Sequence, residues 1–300
     1  MTDIQSFTHQ VGGHSTAKTS LRAHNGRILK PFQSKQRGER ERDFYERVFV
    51  SEKDFPEFAV LRGFLPMYFG TMIFPEAKDD KEETTSVNEQ HHRGAKLRLE
   101  LLLYDLTCGR QSPCIMDVKM GTHSYEKDAS AEKIAYEKSK CPLQETAGFR
   151  IQGMKVFNSQ QQRYIEFDRN FGRSITSMDE LAPAFQRYFP SEDTTKTMKL
   201  LEAFLRRLDQ LKAWFDEQQG TQFIASSFLF LYDGEESLQE VKPITNAYRA
   251  DIRLIDFAHV SHPVTPSHDE GLQTGITTLI QCFQTLLREA QAAQATRLDL

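Results

Sequence analysis

The chain lacks most of what marks a secreted, membrane-spanning or nucleic-acid-binding protein. Its 300 residues include four cysteines, Cys108, Cys114, Cys141 and Cys282, with no C-x-x-C pair and no zinc-ligand spacing. That excludes a zinc ribbon, argues against a disulfide framework and reads as structural thiols in a reducing compartment. No apolar run approaches the roughly 18 residues of a membrane span, and no apolar signal-peptide core opens the chain. A soluble protein of the cytosol or nucleus is expected. Positive charge is not in excess either: 38 Lys and Arg against 42 Asp and Glu leave a net charge of −4. No basic field advertises a nucleic-acid partner, so any polyanionic ligand must meet a local cluster of bases. Internal repeats are absent too. With 39% hydrophobic residues the chain can bury one large core or two lobes, and a monomer is expected.

What is present is concentrated in two short stretches. Pro113-Cys114-Ile115-Met116-Asp117-Val118-Lys119-Met120-Gly121 places an acid and a base two residues apart. In an extended strand alternate side chains share a face, so Asp117 and Lys119 point the same way. The carboxylate there is suited to orient or deprotonate a hydroxyl, and the ammonium to neutralise phosphate charge, as phosphoryl transfer requires. Alone, the stretch reads equally well as a strand with a surface ion pair. Nearer the C-terminus, Ile252-Arg253-Leu254-Ile255-Asp256-Phe257-Ala258-His259-Val260 reads as a buried strand. Its Asp256 resembles the metal-binding aspartate of the protein-kinase Asp-Phe-Gly motif, with a strand cap as the plainer reading. The preceding apolar strand, Ser226 to Gly234, is placed to pair with it as a hairpin and bring Ser227 beside Asp256.

Elsewhere the pattern is coarser. Residues 1–23 are polar and expected to be mostly irregular, and Gly26 to Pro31 a short strand. Gly38 to Phe49 has helical periodicity, and Phe64 to Phe74 suggests strand, break, strand. Residues 75–96 carry Asp79, Asp80, Glu82 and Glu83 beside Thr84, Thr85 and Ser86 and predict a flexible acidic loop. Leu97 to Leu106 is an apolar strand ending at a hinge. Residues 129–141 fit a lysine-bearing helix and Val156 to Phe167 a hairpin. Leu200 to Gln218 is amphipathic, its stripe of Leu201, Phe204, Leu205, Leu208, Leu211 and Phe215 reading as core. A final helix is expected over Gly271 to Glu289.

In combination and in this order, P-x-x-x-D-x-K-x-G, S-S-x-L and I-D-F-A-H resemble the hallmarks of the inositol polyphosphate kinase family. The resemblance runs from His9-Gln10-Val11-Gly12-Gly13-His14 to about Leu287, nearly the whole chain. It implies an α+β, two-lobed kinase-like fold. Residues 1–105 would form an N-lobe with an antiparallel sheet and a helix. Residues 106–300 would form a mixed C-lobe, with an inositol-binding segment at about 121–148 and the metal motif at 252–260. It also implies ATP with Mg2+ as cofactors and soluble inositol phosphates as partners. Lys30 and Glu41, 41 − 30 = 11 residues apart, resemble the lysine–glutamate pair of kinases that contacts the ATP phosphates. Backbone groups of Tyr104 and Leu106 would bind adenine, with Asp105 keeping the family's acid between them. No G-x-G-x-x-G covers the phosphates, which the family manages without; Gly12-Gly13 reads as a turn. Asp117 would sit by the acceptor hydroxyl and Lys119 would bridge the transferring phosphoryl and the substrate. Asp256, with Ser227, would hold the metal, and Lys133, Lys140, Lys155, Arg169 and His259 would face inositol phosphates.

The branch is less sharply drawn. The Ala258-His259 ending argues against the trisphosphate 3-kinases, which favour Gly-Lys there. Gly38-Glu39-Arg40-Glu41, Ser124-Tyr125 and Val260 look like multikinases. His9 to His14, Lys119-Met120-Gly121-Thr122, Asp128 to Lys133 and Tyr232-Asp233-Gly234 look like hexakisphosphate kinases. The expectation is a multikinase acting on free hydroxyls of inositol tris- and tetrakisphosphates. A pyrophosphate-forming hexakisphosphate kinase is the runner-up. Tyr136 and Glu137 stand where multikinases often carry adjacent glutamines, which leaves substrate orientation open, together with activity on a phosphoinositide headgroup. A silent scaffold would have lost Lys30, Asp117, Lys119 or Asp256, and all four are present. The missing H-R-D loop argues against a protein kinase.

Overall fold

Strand patterning divides the molecule between two antiparallel sheets, as the computed structural model shows; it describes residues 4–12, 20–75, 97–190, 192–236 and 246–298. The first sheet contains β1 (Gln5–Ser6), β2 (Arg22–His24), β3 (Arg27–Pro31), β4 (Tyr68–Pro75) and β5 (Leu97–Tyr104), in the order β1-β2-β3-β5-β4. Between β3 and β4 run α1 (Lys35–Phe49) and the short α2 (Ala59–Arg62). Alternation along β5 sends Leu101 and Leu103 into the main core, while Leu102 joins Leu29 and Phe74 on the opposite face. On that second face the buried Glu100 receives Arg22 at 2.6 Å and also Arg98.

The second sheet has the order β11-β10-β6-β7-β8. Its strands are β6 (Pro113–Met120), β7 (Phe149–Asn158), β8 (Arg163–Phe167), β10 (Ser227–Asp233) and β11 (Asp251–Ile255); β9 (Gln222–Phe223) and β12 (Val260–Ser261) form a separate two-stranded pair. The helices are α3 (Ala131–Lys140), α4 (Gln144–Ala147), α5 (Arg169–Ser174), α6 (Leu181–Gln186), α7 (Thr194–Glu217) and α8 (Glu270–Leu298). Strands β6 and β10 read as nearly continuous apolar runs because both of their faces are covered. Phe230 of β10 meets Phe204 of α7 at 5.4 Å and Phe283 of α8 at 5.6 Å between ring centroids. The opposite face of the same strands carries Ile115, Asp117, Lys119, Ser227, Leu229 and Leu231. Register pairs Asp117 with Leu229 and Lys119 with Ser227. Period-two alternation therefore presents the chemistry on one side and the core on the other.

Helix α1 is the link between the sheets. Ser34 caps it by accepting from Arg37 N–H, and its apolar face buries Phe44, Tyr45 and Val48. Phe44 and Tyr45 pack on Phe257, just past β11, at 4.5 and 5.1 Å. Among the described residues before β2, Gln5–Ser6 form β1 and pair with β2. The next residues cross to the second sheet, where Thr8 O accepts from Lys155 Nζ at 3.0 Å.

Several boundaries differ from the sequence reading. Phe64 and Leu65 are buried but precede the strand, since Phe64 N–H closes onto Leu61 O at the end of α2. One strand follows, interrupted between Tyr68 and Thr71 where Gly70 has φ +108°. Helix α7 begins at Thr194, capped by Asp193, ahead of the apolar stripe that betrayed it. Helix α8 continues to Leu298, because the Ala- and Gln-rich tail after Glu289 favours helix without any apolar stripe. The acidic loop expected over 75–96 lies, from residue 76 on, outside the described residues.

Gly148 fixes how α8 crosses the second sheet. It ends α4 at φ +75°, and a Cβ there would stand 2.3 Å from Gly275 N of α8. Both the left-handed backbone and the contact demand glycine. Gly148→Ala is therefore expected to destabilise the protein by about 2–4 kcal/mol. Gly220→Ala, with nothing within 4 Å of its new Cβ, is expected to stay within about 0.5 kcal/mol. Urea midpoints for both variants check it.

Candidate active site

A cavity of about 600 Å³ opens between the two sheets. Its floor is the face of β6 and β10 that carries Ile115, Asp117, Lys119, Ser227, Leu229 and Leu231, and its roof includes Lys30 of β3 and Glu41 of α1.

At the centre stands a chain of charges. Lys30 Nζ donates to Glu41 Oε1 at 2.7 Å and to Asp256 Oδ1 at 2.5 Å. Glu41 Oε1 also accepts the Phe257 N–H at 3.2 Å. Burial disfavours the Lys30 ammonium, but Asp256 and Glu41 outweigh it and hold its pKa above the usual lysine value. Asp256 has φ +68°, a left-handed turn that an L-residue adopts at some cost. The turn reverses the chain after β11 and leaves the Asp256 side chain 38% exposed. Burial opposes its charge, while Lys30 and Lys119 together keep its pKa below the ordinary value. Asp117 is the contrasting case. Burial first, then the Asp256 carboxylate, pushes its carboxyl up to about 7, with Lys119 pulling the other way. Asp117 Oδ1 and Ser227 Oγ are both buried, facing each other with no further hydrogen-bond partner. Lys119 Nζ donates to Ala225 O at 3.0 Å, and burial lowers its pKa.

These two buried oxygens beside a half-exposed carboxylate form a hard oxygen donor set. They suit a divalent cation that keeps several waters and takes its remaining ligands from a phosphate chain. Among the described residues no three His, Cys, Asp or Glu side chains cluster as a ready-made cage. Gly12, expected only to turn, comes close to this centre: a Cβ on it would lie 2.5 Å from Asp117 Oδ2. Its partners in the motif, Gly13 and His14, lie outside the described residues.

One end of the cavity is apolar. Ile28, Pro66, Leu103, Leu231 and Ile255 line it next to Tyr104, Asp105, Leu106 and Thr107. At this hinge two backbone N–H groups are already engaged. Tyr104 N–H already donates to Met67 O at 2.8 Å and Asp105 N–H to Gly26 O at 3.0 Å. Leu106 N–H remains the hinge donor without a partner among the described residues. The Asp105 carboxylate turns back on the loop, accepting from Thr107 N–H and Oγ1.

The other end is basic. Lys133 and Lys140 of α3, Arg169 and Arg173 of α5, and His259 line it. Lys155 does not. Its ammonium is held by Thr8 O and by Glu166 at 3.1 Å, and it lies 4.9 Å from the centre of the Tyr164 ring. The N-terminal segment covers Lys155 and takes it out of the cavity. Sequence reasoning also missed Arg150 and Glu126. Arg150 stands directly across from Lys119 in the β6–β7 register. Its side chain is 9% exposed, and its Nε and Nη1 have no partner. Glu126 receives Arg40 of α1 at 2.7 Å and His259 Nδ1 at 3.1 Å. Its hydrogen bond to His259, ahead of Arg40's charge, holds its pKa low. An ionised Glu126 accepts only, so Nδ1 carries the proton and Nε2 is the free ring nitrogen. Cross-strand position marks Arg150 and chain spacing marks neither.

A family model described as inositol polyphosphate kinase matches residues 100–284. The chain is 33% identical over 231 residues to inositol polyphosphate multikinase of Homo sapiens, covering 76% of this chain and 51% of that protein. It is 29% identical over 309 residues to inositol polyphosphate multikinase beta of Arabidopsis thaliana, covering 97% of this chain and 96% of that one. The chain thus spans about half the length of the human relative and nearly all of the plant one. The crystal structure of the S. cerevisiae inositol phosphate multikinase in complex with ADP and Mn2+ superposes with a TM-score of 0.64 at 23% identity. It covers 87% of this chain and 99% of that one, which establishes an α+β kinase-like fold.

The raised Asp117 value has a consequence for stability. A carboxyl near 7 when folded and about 4 when unfolded is protonated preferentially in the native state. Its contribution is complete below pH 4 and is lost as pH rises through 7. In metal-free protein, Asp117→Asn is expected to exceed the parent in stability above pH 7 by on the order of 2 kcal/mol. The two should converge toward pH 4. Urea unfolding at pH 4.5 and pH 8 measures the difference.

Proposed function

The chain belongs to the inositol polyphosphate kinase family, and on that premise we propose that it transfers the γ-phosphoryl of ATP to free hydroxyls of inositol tris- and tetrakisphosphates. The observation that carries this is the placement of Asp117. It is a buried carboxylate with a pKa near 7, lying between an apolar slot beside the hinge and a wall of bases.

In this reading the two sheets are the two lobes, 1–105 and 106–300, with ATP between them. Adenine enters the apolar slot and meets Leu106 N–H. Lys30, aligned by Glu41, takes the phosphate charge. Asp256, with Ser227, would hold Mg2+, which would neutralise charge on the phosphate chain when bound. Lys133, Lys140, Arg169 and His259 hold the inositol phosphates, joined by Arg150 and Arg173. Lys155 is left out on the geometry given above.

Asp117 orients the acceptor hydroxyl and takes its proton as the inositol oxygen bonds to the γ-phosphorus. The bond from that phosphorus to the β–γ bridging oxygen breaks, and ADP leaves. Burial raises the proton affinity of Asp117, which favours its taking the proton in this step. Lys119 neutralises the transferring phosphoryl across from Asp256. Free thiols and the lack of a helix long and apolar enough to cross a membrane among the described residues support work in the cytosol or nucleus.

Purified protein with Mg-ATP is expected to convert inositol tris- and tetrakisphosphates into pentakisphosphate, resolved by anion-exchange chromatography. Rapid conversion of hexakisphosphate to a more retained product would make it a pyrophosphate-forming kinase. Absence of product from every inositol phosphate would overturn the kinase reading. Asp117→Asn is expected to cut kcat about 10²–10⁴-fold while fluorescent-nucleotide titration shows ATP binding retained.

A further inference from the structure

Among the bases that line this end of the cavity stands an acid, Glu137. Glu137 projects from α3 with its side chain 15% exposed, and its Oε1 accepts from Lys140 Nζ at 2.6 Å. Its Oε2 stands 3.5 Å from Arg150 Nη2. Burial works against its charge, but Lys140 and Arg150 outweigh it and hold the carboxyl below the ordinary value. Glu137 is thus an anion at neutral pH. It compensates two of the cations that line the site, one of them a guanidinium whose Nε and Nη1 still lack partners.

A carboxylate so placed distinguishes two kinds of neighbour. It accepts hydrogen bonds but donates none, so a ring hydroxyl beside it is favourable. A phosphate in the same place would be repelled and would compete for Lys140 and Arg150. Discrimination of this sort comes from a repulsive element set against the wrong ligand.

We propose that Glu137 is a specificity-determining residue of the substrate end, selecting inositol phosphates that present a free hydroxyl to it and rejecting the fully phosphorylated ring. Inositol hexakisphosphate has no free hydroxyl, so it has only phosphates to offer Glu137. Inositol tris- and tetrakisphosphates can turn a hydroxyl toward it while their phosphates engage Lys133, Arg169 and the open nitrogens of Arg150. This inference rests on the kinase reading and assigns that site its substrate preference.

The test compares the full chain with Glu137→Gln, using Mg-ATP with inositol trisphosphate and inositol hexakisphosphate in separate reactions. Calorimetric titration of both compounds in the absence of nucleotide runs in parallel. The expected result is a rise of at least about tenfold in the hexakisphosphate-to-trisphosphate ratio of kcat/KM, with a matching rise in the ratio of affinities. The gain should shrink as salt is raised. Glu137→Ala, which leaves space in place of an amide, should move both ratios the same way and serves if the Gln variant fails to fold. Ratios within about twofold of the parent in a variant with unchanged thermal unfolding would overturn the proposal. So would equal losses on both substrates, the mark of a merely structural residue. A parent chain that neither binds nor phosphorylates any inositol phosphate would instead overturn the kinase reading and this inference with it. Turnover by the parent with unmoved ratios in the variants overturns the inference alone.

Discussion

Everything at the site hangs on one carboxylate. Glu41 is 3% exposed and binds both the Lys30 ammonium and the Phe257 N–H. Three distant parts of the chain, β3, α1 and the turn after β11, are therefore registered to a single oxygen. Lys30 extends the link to Asp256. A buried arrangement of this kind is weak evidence for stability, because removing charges from water costs about as much as their attraction returns. Its value is positional. Losing Lys30 would leave the buried Glu41 without its cation, so the lysine ties the geometry of β3, α1 and the Asp256 turn together. The aromatic contacts of Phe257 with Phe44 and Tyr45 supply the apolar burial that makes this placement tolerable.

From that fixed point the cavity is graded along its length. Apolar side chains lie by the hinge, facing acids and bases stand at the centre, and bases gather at the far end. A chain with net charge −4 thereby offers a polyanion a locally positive surface. The gradient arises from strand alternation and cross-strand register. Asp117, Lys119 and Ser227 share a face only because β6 and β10 pair as they do, and Arg150 joins them only through the β6–β7 register.

This explains which parts were legible from the residues in order. The strand carrying Asp117 and Lys119 and the hairpin that brings Ser227 to Asp256 are local, period-two features, so their spacing reveals them. The Lys30–Glu41 pair spans a strand and the next helix, and resemblance alone pointed to it. Arg150, Glu126 and the closeness of Gly12 to Asp117 are long-range, set by which strands and loops become neighbours. No local periodicity records that. Lys155 shows the reverse failure: its position suited a phosphate ligand, but the N-terminal segment reaches it first. Glu137 stands where multikinases often carry a glutamine; a pairing with Lys140 was in reach of the sequence, and the second partner, Arg150, came only with the fold. The ends of α7 and α8 were misjudged because caps and Ala-rich tails extend helices beyond their apolar stripes.

The N-terminal segment has a mechanical side. Its Gln5 pairs with Ala23 in the first sheet, while Thr8 holds Lys155 of the second and Gly12 reaches to Asp117. It spans the mouth of the cleft like a guy rope fastened on both banks. Widening the mouth by swinging the sheets apart strains this line before it disturbs either core. Parting the two sheets here would break the hydrogen bond from Lys155 to Thr8, a surface contact, while each sheet's own core stays packed.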